Sequence, residues 1–242
     1  MTVAPTPVPD GRVPRRYVAL VTILLALLAL AIGLLIQHDV FQGSSTSNGV
    51  RGSGHAVAQS RTLPPFSSVD LAGSNVLTVH VGARQSVVVH ADSNLVERVT
   101  TDVRGGELVI DNTLGTFDAR TPMRVDVGVR TLRRLTLSGS GVIAVTGVDT
   151  RVLGATLSGS GVLRVSGTAT RLEIALDGSG DAQLQDVIAR DVRAVVRGSG
   201  RILVTATNSI NASVPGSGAI FYRGDPPQVT TSVTGSGTVM PA

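Results

Sequence analysis

The tripeptide Gly-Ser-Gly recurs along the C-terminal part of this chain at nearly constant spacing, and that period constrains the fold more than any other feature. It starts at Gly139, Gly159, Gly178, Gly198, Gly216 and Gly235, at spacings of 20, 19, 20, 18 and 19 residues. The corners so defined are Gly139-Ser140-Gly141, Gly159-Ser160-Gly161, Gly178-Ser179-Gly180, Gly198-Ser199-Gly200, Gly216-Ser217-Gly218 and Gly235-Ser236-Gly237. Two residues before each corner stand Leu137, Leu157, Leu176, Val196, Val214 and Val233. Four residues after each first glycine stand Ile143, Leu163, Ala182, Ile202, Ile220 and Val239. Apolar residues alternate with polar ones on both sides, which marks half-buried strands. The period is too short for a helical-hairpin repeat. It suits one coil of a β-solenoid, in which two or three short strands stack on the previous coil at about 4.8 Å. Neighbouring coils then bury an apolar face that a single coil cannot bury alone. In this reading the glycines supply backbone freedom at the corner, and the serines form an exposed ladder.

An opening coil is expected over residues 66–81, where Gly73-Ser74-Asn75 stands in for the corner between Val69/Leu71 and Leu77/Val79. Val87–Val89, Leu108–Ile110 and Val125–Val129 read as further strands with less regular turns. The charges support this register. Asp177 and Arg197 share one column, Asp181 and Arg201 a second, and Glu173 and Arg193 a third. Each pair would face across a strand boundary, and a one-residue slip would turn all of them inward.

Composition excludes several chemistries. The chain has no cysteine, and all 21 of its basic residues are arginine. Disulfides, thiolate metal sites, cysteine nucleophiles, lipidated cysteine anchors and lysine Schiff bases are therefore out. Four phenylalanines, two tyrosines and no tryptophan are too few for a platform that stacks bases. The net charge of +4 is spread rather than clustered, so nucleic acid is not an expected partner.

Residues 17–36 carry no charge. At about 1.5 Å per residue such a run spans about 30 Å, the thickness of the hydrocarbon core. Arg12, Arg15 and Arg16 precede it and Asp39 follows it. The positive-inside rule then puts the N-terminus in the cytoplasm and the large C-terminal part outside. A cleaved signal peptide is the alternative reading, but a signal core is shorter, about 7–15 residues, and the nearest small-residue cleavage option, Gly43 and Ser45, is weak. The expected organisation is a disordered cytoplasmic tail at 1–16, a transmembrane helix at 17–36, a flexible stalk at 37–65 and a β-solenoid at 66–242.

Catalytic and metal readings are weak. His38 and His55 fall in the expected stalk, and spacing places no carboxylate beside His80 or His90. Gly-Ser-Gly is not the Gly-x-Ser-x-Gly of a nucleophile elbow, and the period does not fit calcium-binding nonapeptide repeats. The best carboxylate cluster, Asp177 and Asp181, is already matched by Arg197 and Arg201 in the register above. No catalytic residue, cofactor or metal is expected.

Phe66-Ser67-Ser68-Val69-Asp70-Leu71, the strand Val125–Val129, Leu132-Arg133-Arg134-Leu135-Thr136-Leu137 and the serial Gly-Ser-Gly turns resemble the auto-transporter adhesin head family, also called the GIN domain. The resemblance implies a right-handed parallel β-helix-like domain exported from a bacterium. Only five residues follow the last Gly-Ser-Gly, which leaves no room for an auto-transporter's membrane barrel; the N-terminal helix is the expected anchor. The expected function is therefore a membrane-anchored, extracytoplasmic binding, adhesion or envelope-scaffolding module. Its partners would be cell-wall or surface polysaccharide or protein, met through outward residues such as Arg164, Gln183 and Arg223. Two alternatives share the scaffold: an envelope carbohydrate-active enzyme, and a homo-oligomer that stacks end to end into a filament.

Overall fold

Period-two patterning produces strands almost throughout the computed structural model, which describes residues 49–113 and 115–242. The expected tail at 1–16, the apolar run at 17–36 and residues 37–48 of the expected stalk lie outside the described residues. Among the described residues no helix is long and apolar enough to cross a membrane. The only helical element described there is a 3-10 turn at Val96–Arg98.

The early strands are β1 (Val50–Arg51), β2 (Ala56–Ser60), β3 (Ser68–Leu71), β4 (Val76–Val81), β5 (Ser86–Asp92), β6 (Val99–Arg104), β7 (Glu107–Asn112), β8 (Phe117–Asp118) and β9 (Arg124–Val129). The repeating part holds β10 (Arg134–Leu137), β11 (Val142–Leu157), β12 (Val162–Leu176), β13 (Asp181–Val196), β14 (Arg201–Val214), β15 (Ala219–Arg223), β16 (Gln228–Val233) and β17 (Thr238–Pro241).

Two parallel ladders run through the stack, one on each side of the Gly-Ser-Gly corners. Before the corner, β7, β3, β10, the C-terminal parts of β11 to β14, and β16 pair in order. After it, β9, β4, the N-terminal parts of β11 to β14, β15 and β17 do the same. Together they make a β-solenoid of about five turns. Each long strand serves both ladders, breaking register in between, as at Val145/Val148. The expected opening coil is in place: β3 pairs with β10, and β4 with β11. The less regular upstream strands close the N-terminal end by antiparallel pairing, β6 on β7 and β2–β5–β9.

The stack buries its inward columns completely. Leu137, Leu157, Leu176, Val196 and Val214 form one column, and Ile143, Leu163, Ala182, Ile202 and Ile220 another; each is 0% exposed. At about 25 cal/mol per Å² of apolar area removed from water, each leucine contributes about 2 kcal/mol. A core of small aliphatics suffices because each coil lies against its neighbour, so large aromatics are not needed to fill space.

Two expectations need correction. The stalk was expected to run from 37 to 65, but β2 hydrogen-bonds to β5, so the folded unit begins at Gly49. Its short sequence of alanine, valine, glutamine and serine has little pattern of its own, and the edge of β5 supplies the missing partner. The corner glycines also have a different cause. Of the 12 in the repeated tripeptides, Gly235 alone has a positive φ. The others need space rather than freedom. A Cβ on Gly139, Gly159, Gly178 or Gly198 would overlap a carbonyl oxygen of the coil before it. On Gly180 it would lie 2.6 Å from the Gly161 oxygen and 2.7 Å from Leu157 Cδ2. Stacking at the strand spacing leaves no room for a side chain there.

Candidate functional site

The two outward faces treat their charges differently. On the face after the corner, polar side chains satisfy one another across coils. Arg201 donates to both oxygens of Asp181, from Nη2 at 2.7 Å and Nε at 3.2 Å. Gln183 Nε2 donates to the same carboxylate at 2.8 Å, and Arg164 Nε donates to Gln183 Oε1 at 3.0 Å. Partial burial pushes the Asp181 carboxyl up, but the Arg201 and Gln183 donors outweigh it and hold the group below its ordinary value. Arg164 and Gln183, expected as outward contact residues, face outward and bond to each other within the sheet, while Arg223 is exposed at the end of β15.

The same face holds a pairing that spacing does not reveal. Antiparallel β5 and β9 bring His90 Nε2 within 3.0 Å of Asp126 Oδ2, with Arg124 Nε at 3.7 Å from that oxygen. Farther from the corner, His80 Nδ1 lies 3.1 Å from Thr146 Oγ1. Among the described residues, no group of three or more histidines and carboxylates is placed to hold a metal ion.

On the face before the corner the balance is different. Arg197 Nη1 donates to Asp177 Oδ1 at 2.6 Å. Glu173 and Arg193 are register partners, yet among the described residues no ion pair joins them. Gly154 sits between Arg134 and Glu173 in the same column and has no side chain, so the surface sinks there. This depression adjoins two others, sharing Arg134 with one and Glu173 and Arg193 with the other. Together they form a shallow trough across the strands, from the start of β10 to Gln228 on β16.

Six arginines line the trough: Arg133, Arg134, Arg151, Arg171, Arg193 and Arg197. Among the described residues, Arg197 is the one of these six that forms an ion pair within 4.0 Å. The acids lining it are Asp149, Glu173 and Asp191. Hydrogen bonds from Asn208 and Ser209, both at 2.7 Å, hold the Asp191 carboxyl below its ordinary value. Toward the N-terminal end the ladder turns acidic with Asp70, Glu107 and Asp111. Burial pushes the Asp70 carboxyl up against the Ser138 hydroxyl bond that lowers it, and Glu107 and Asp111 raise it further.

A second feature outside the repeat fixes the N-terminal segment. Asp92, at the end of β5, is 0% exposed. It accepts backbone N–H groups from Gly54 and Arg120 at 2.8 Å and from Thr121 at 3.2 Å. Burial alone would raise this carboxyl, but the three donors hold it below the ordinary range. Asp92 thereby ties two chain segments to β5. Gly52 must lack a side chain because its Cβ would run into Asp92. The signal in the sequence is Gly52-Ser53-Gly54, a copy of the corner tripeptide outside the period.

The class this fold defines is a parallel β-solenoid with laddered side chains and an open trough on one sheet face. The chain belongs to the family described as "putative auto-transporter adhesin, head GIN domain", whose model matches residues 65–226. Solved structures share the fold. An adhesin-type protein from Bacteroides fragilis is 19% identical, with a TM-score of 0.69 over 80% of this chain and 100% of that one. One of the same description from Parabacteroides distasonis is 22% identical, with a TM-score of 0.54 over 80% and 100%. A protein from P. distasonis described as lipid binding is 22% identical, with a TM-score of 0.51 over 80% and 99%. No curated protein matches the chain.

Proposed function

We propose that this protein is a membrane-anchored binding module of the cell surface. Residues 17–36 span the membrane, the N-terminus is cytoplasmic, and the right-handed solenoid stands outside to hold an adhesion or envelope-scaffolding partner. The observation that carries the binding role is the arginine trough: outward charges left unpaired on one face of a rigid scaffold, in a family of adhesin heads. The handedness follows the strong preference of parallel crossover connections. Asp177 and Asp181 are engaged by arginines, which argues against a free acid–base pair of the glycosidase kind.

Topology is tested by protease treatment of intact cells; digestion of the solenoid is expected, and its protection would overturn the orientation. Incubation with isolated cell envelope should give retention without product release. Reducing ends released by the wild type and lost in Asp177→Ala or Asp181→Ala would replace this reading with the enzymatic one.

One observation favours a second reading, association of copies end to end. β16 and β17 are each bonded on one side, residues 226–242 carry no charge, and Val229 and Val233 are 45% and 41% exposed. Unprotected edges of this kind invite pairing. Light scattering across a concentration series tests it, with growth in mass as the supporting result.

A further inference from the structure

We propose that the trough binds a linear acidic polysaccharide laid along the stacking direction, its carboxylate or phosphate groups meeting Arg134 on β10, Arg171 on β12 and Arg193 on β13. The inference rests on the binding-module reading and names the class of ligand for it.

The trough crosses the strands, so equivalent positions recur from coil to coil at about 4.8 Å, although in the Arg134 column Gly154 and Glu173 intervene before Arg193. Arg134 on β10 and Arg193 on β13 are three coil steps apart, which is roughly 14 Å at that spacing. A lone small anion would reach one or two of these guanidiniums. Each such exposed contact contributes only about 0.2–1 kcal/mol, which would not hold it. A polymer with regularly spaced charges engages several at once, and the individually weak contacts then act together. Arginine suits the task because its planar fork takes carboxylate or phosphate oxygens two at a time.

The trough also discriminates among polymers. It lies on a sheet face whose backbone groups are already paired within the ladder, so an acidic peptide finds no strand edge to extend. A polysaccharide needs only side-chain donors and acceptors, which Thr156, Asn208, Ser209 and Asn211 supply beside the arginines. Among the described residues, no phenylalanine or tyrosine lines the trough, which leaves nucleic-acid bases without a stacking surface there. Nor does the open trough enclose an acyl chain.

The test uses the full chain in nonionic detergent. Polygalacturonate, with one carboxylate per sugar, is the probe; dextran, polyglutamate and phosphatidylglycerol vesicles are the comparisons. Polygalacturonate should bind, weaken at least tenfold between 50 and 500 mM salt as screening predicts, and outbind the other three. Arg134→Ala with Arg193→Ala should weaken it at least tenfold, Glu173→Gln should tighten it about twofold, and Arg223→Ala on the other face should change it less than twofold. Equal binding of dextran, stronger binding of polyglutamate or vesicles, or indifference to the arginine pair would overturn the proposal. Retention on isolated cell envelope, measured in parallel, separates the two levels. Retention that survives the double substitution sinks the acidic-polymer assignment and keeps the binding module; absence of retention by the wild type sinks both.

Discussion

Gly178 illustrates how a single residue type can have a cause that its neighbours do not reveal. It looks like a turn residue, and its position at a corner is right. Its constraint is nevertheless contact with the coil before it, because a Cβ would overlap the Gly159 carbonyl. Gly178→Ala should therefore destabilise the domain by about 3 kcal/mol, through the overpacking that follows in a stack that cannot shift. Ser179→Ala, at the exposed middle position, should change stability by no more than about 0.5 kcal/mol. Chemical denaturation of the two variants checks the contrast; equal effects would return the corner to a backbone-freedom explanation. Asp92 makes a pH-dependent contribution. Its folded carboxyl lies below the ordinary value of 3.8, so its stabilisation is fully present above that value and is lost as pH falls through the lower folded one. Asp92→Asn should lower the melting temperature by several degrees near neutrality, because Asn turns a donor toward backbone N–H groups. The variant should also flatten the acid limb of the stability curve.

At the scale of elements, the ladders decide what a charged pair contributes. Arg201 grips Asp181 with two hydrogen bonds, and the Asp181 side chain is 22% exposed. A double-mutant cycle should find a coupling of about 0.5–1 kcal/mol, falling in high salt. Arg197 and Asp177 are more exposed, at 56% and 37%, and should couple by about 0.5 kcal/mol or less. Glu173 and Arg193 should couple by nothing measurable, although they occupy equivalent register positions. The column assignments were legible because a parallel stack with a near-constant period maps sequence offset directly onto position. Side-chain reach was not legible, since it depends on the neighbour each rotamer can find. Gly154 makes the same point: it keeps the period while removing the side chain that would have filled the trough. The antiparallel strands β2, β5 and β6 had no period to index them, which is why the His90–Asp126 pair and the ordered segment after Gly49 were missed.

Over the whole molecule, stability should depend on where along the stack a substitution falls. Val196 and Val233 occupy the same inward column, yet Val196 is 0% exposed and Val233 is 41% exposed. Val196→Asp places a carboxylate between two coils and should cost about 4 kcal/mol or more, enough to unfold a marginal domain. Val233→Asp should cost under about 1 kcal/mol, because its charge reaches water. Thermal melts of both variants test this. A large loss at Val233 would mean that the last coil is covered in solution, as end-to-end association requires.

The sequence by itself determined the coil length, the inward columns, the register of the charged pairs and the family of this protein, because a repeat that stacks on itself turns one-dimensional spacing into three-dimensional position. Tertiary structure alone decided that the corner glycines answer to close stacking, that the chain folds from Gly49, that Asp92 ties the N-terminal segment down and that a line of unpaired arginines shares one trough. These depend on which atoms meet across the stack or between distant segments, and spacing along the chain carries no record of such meetings.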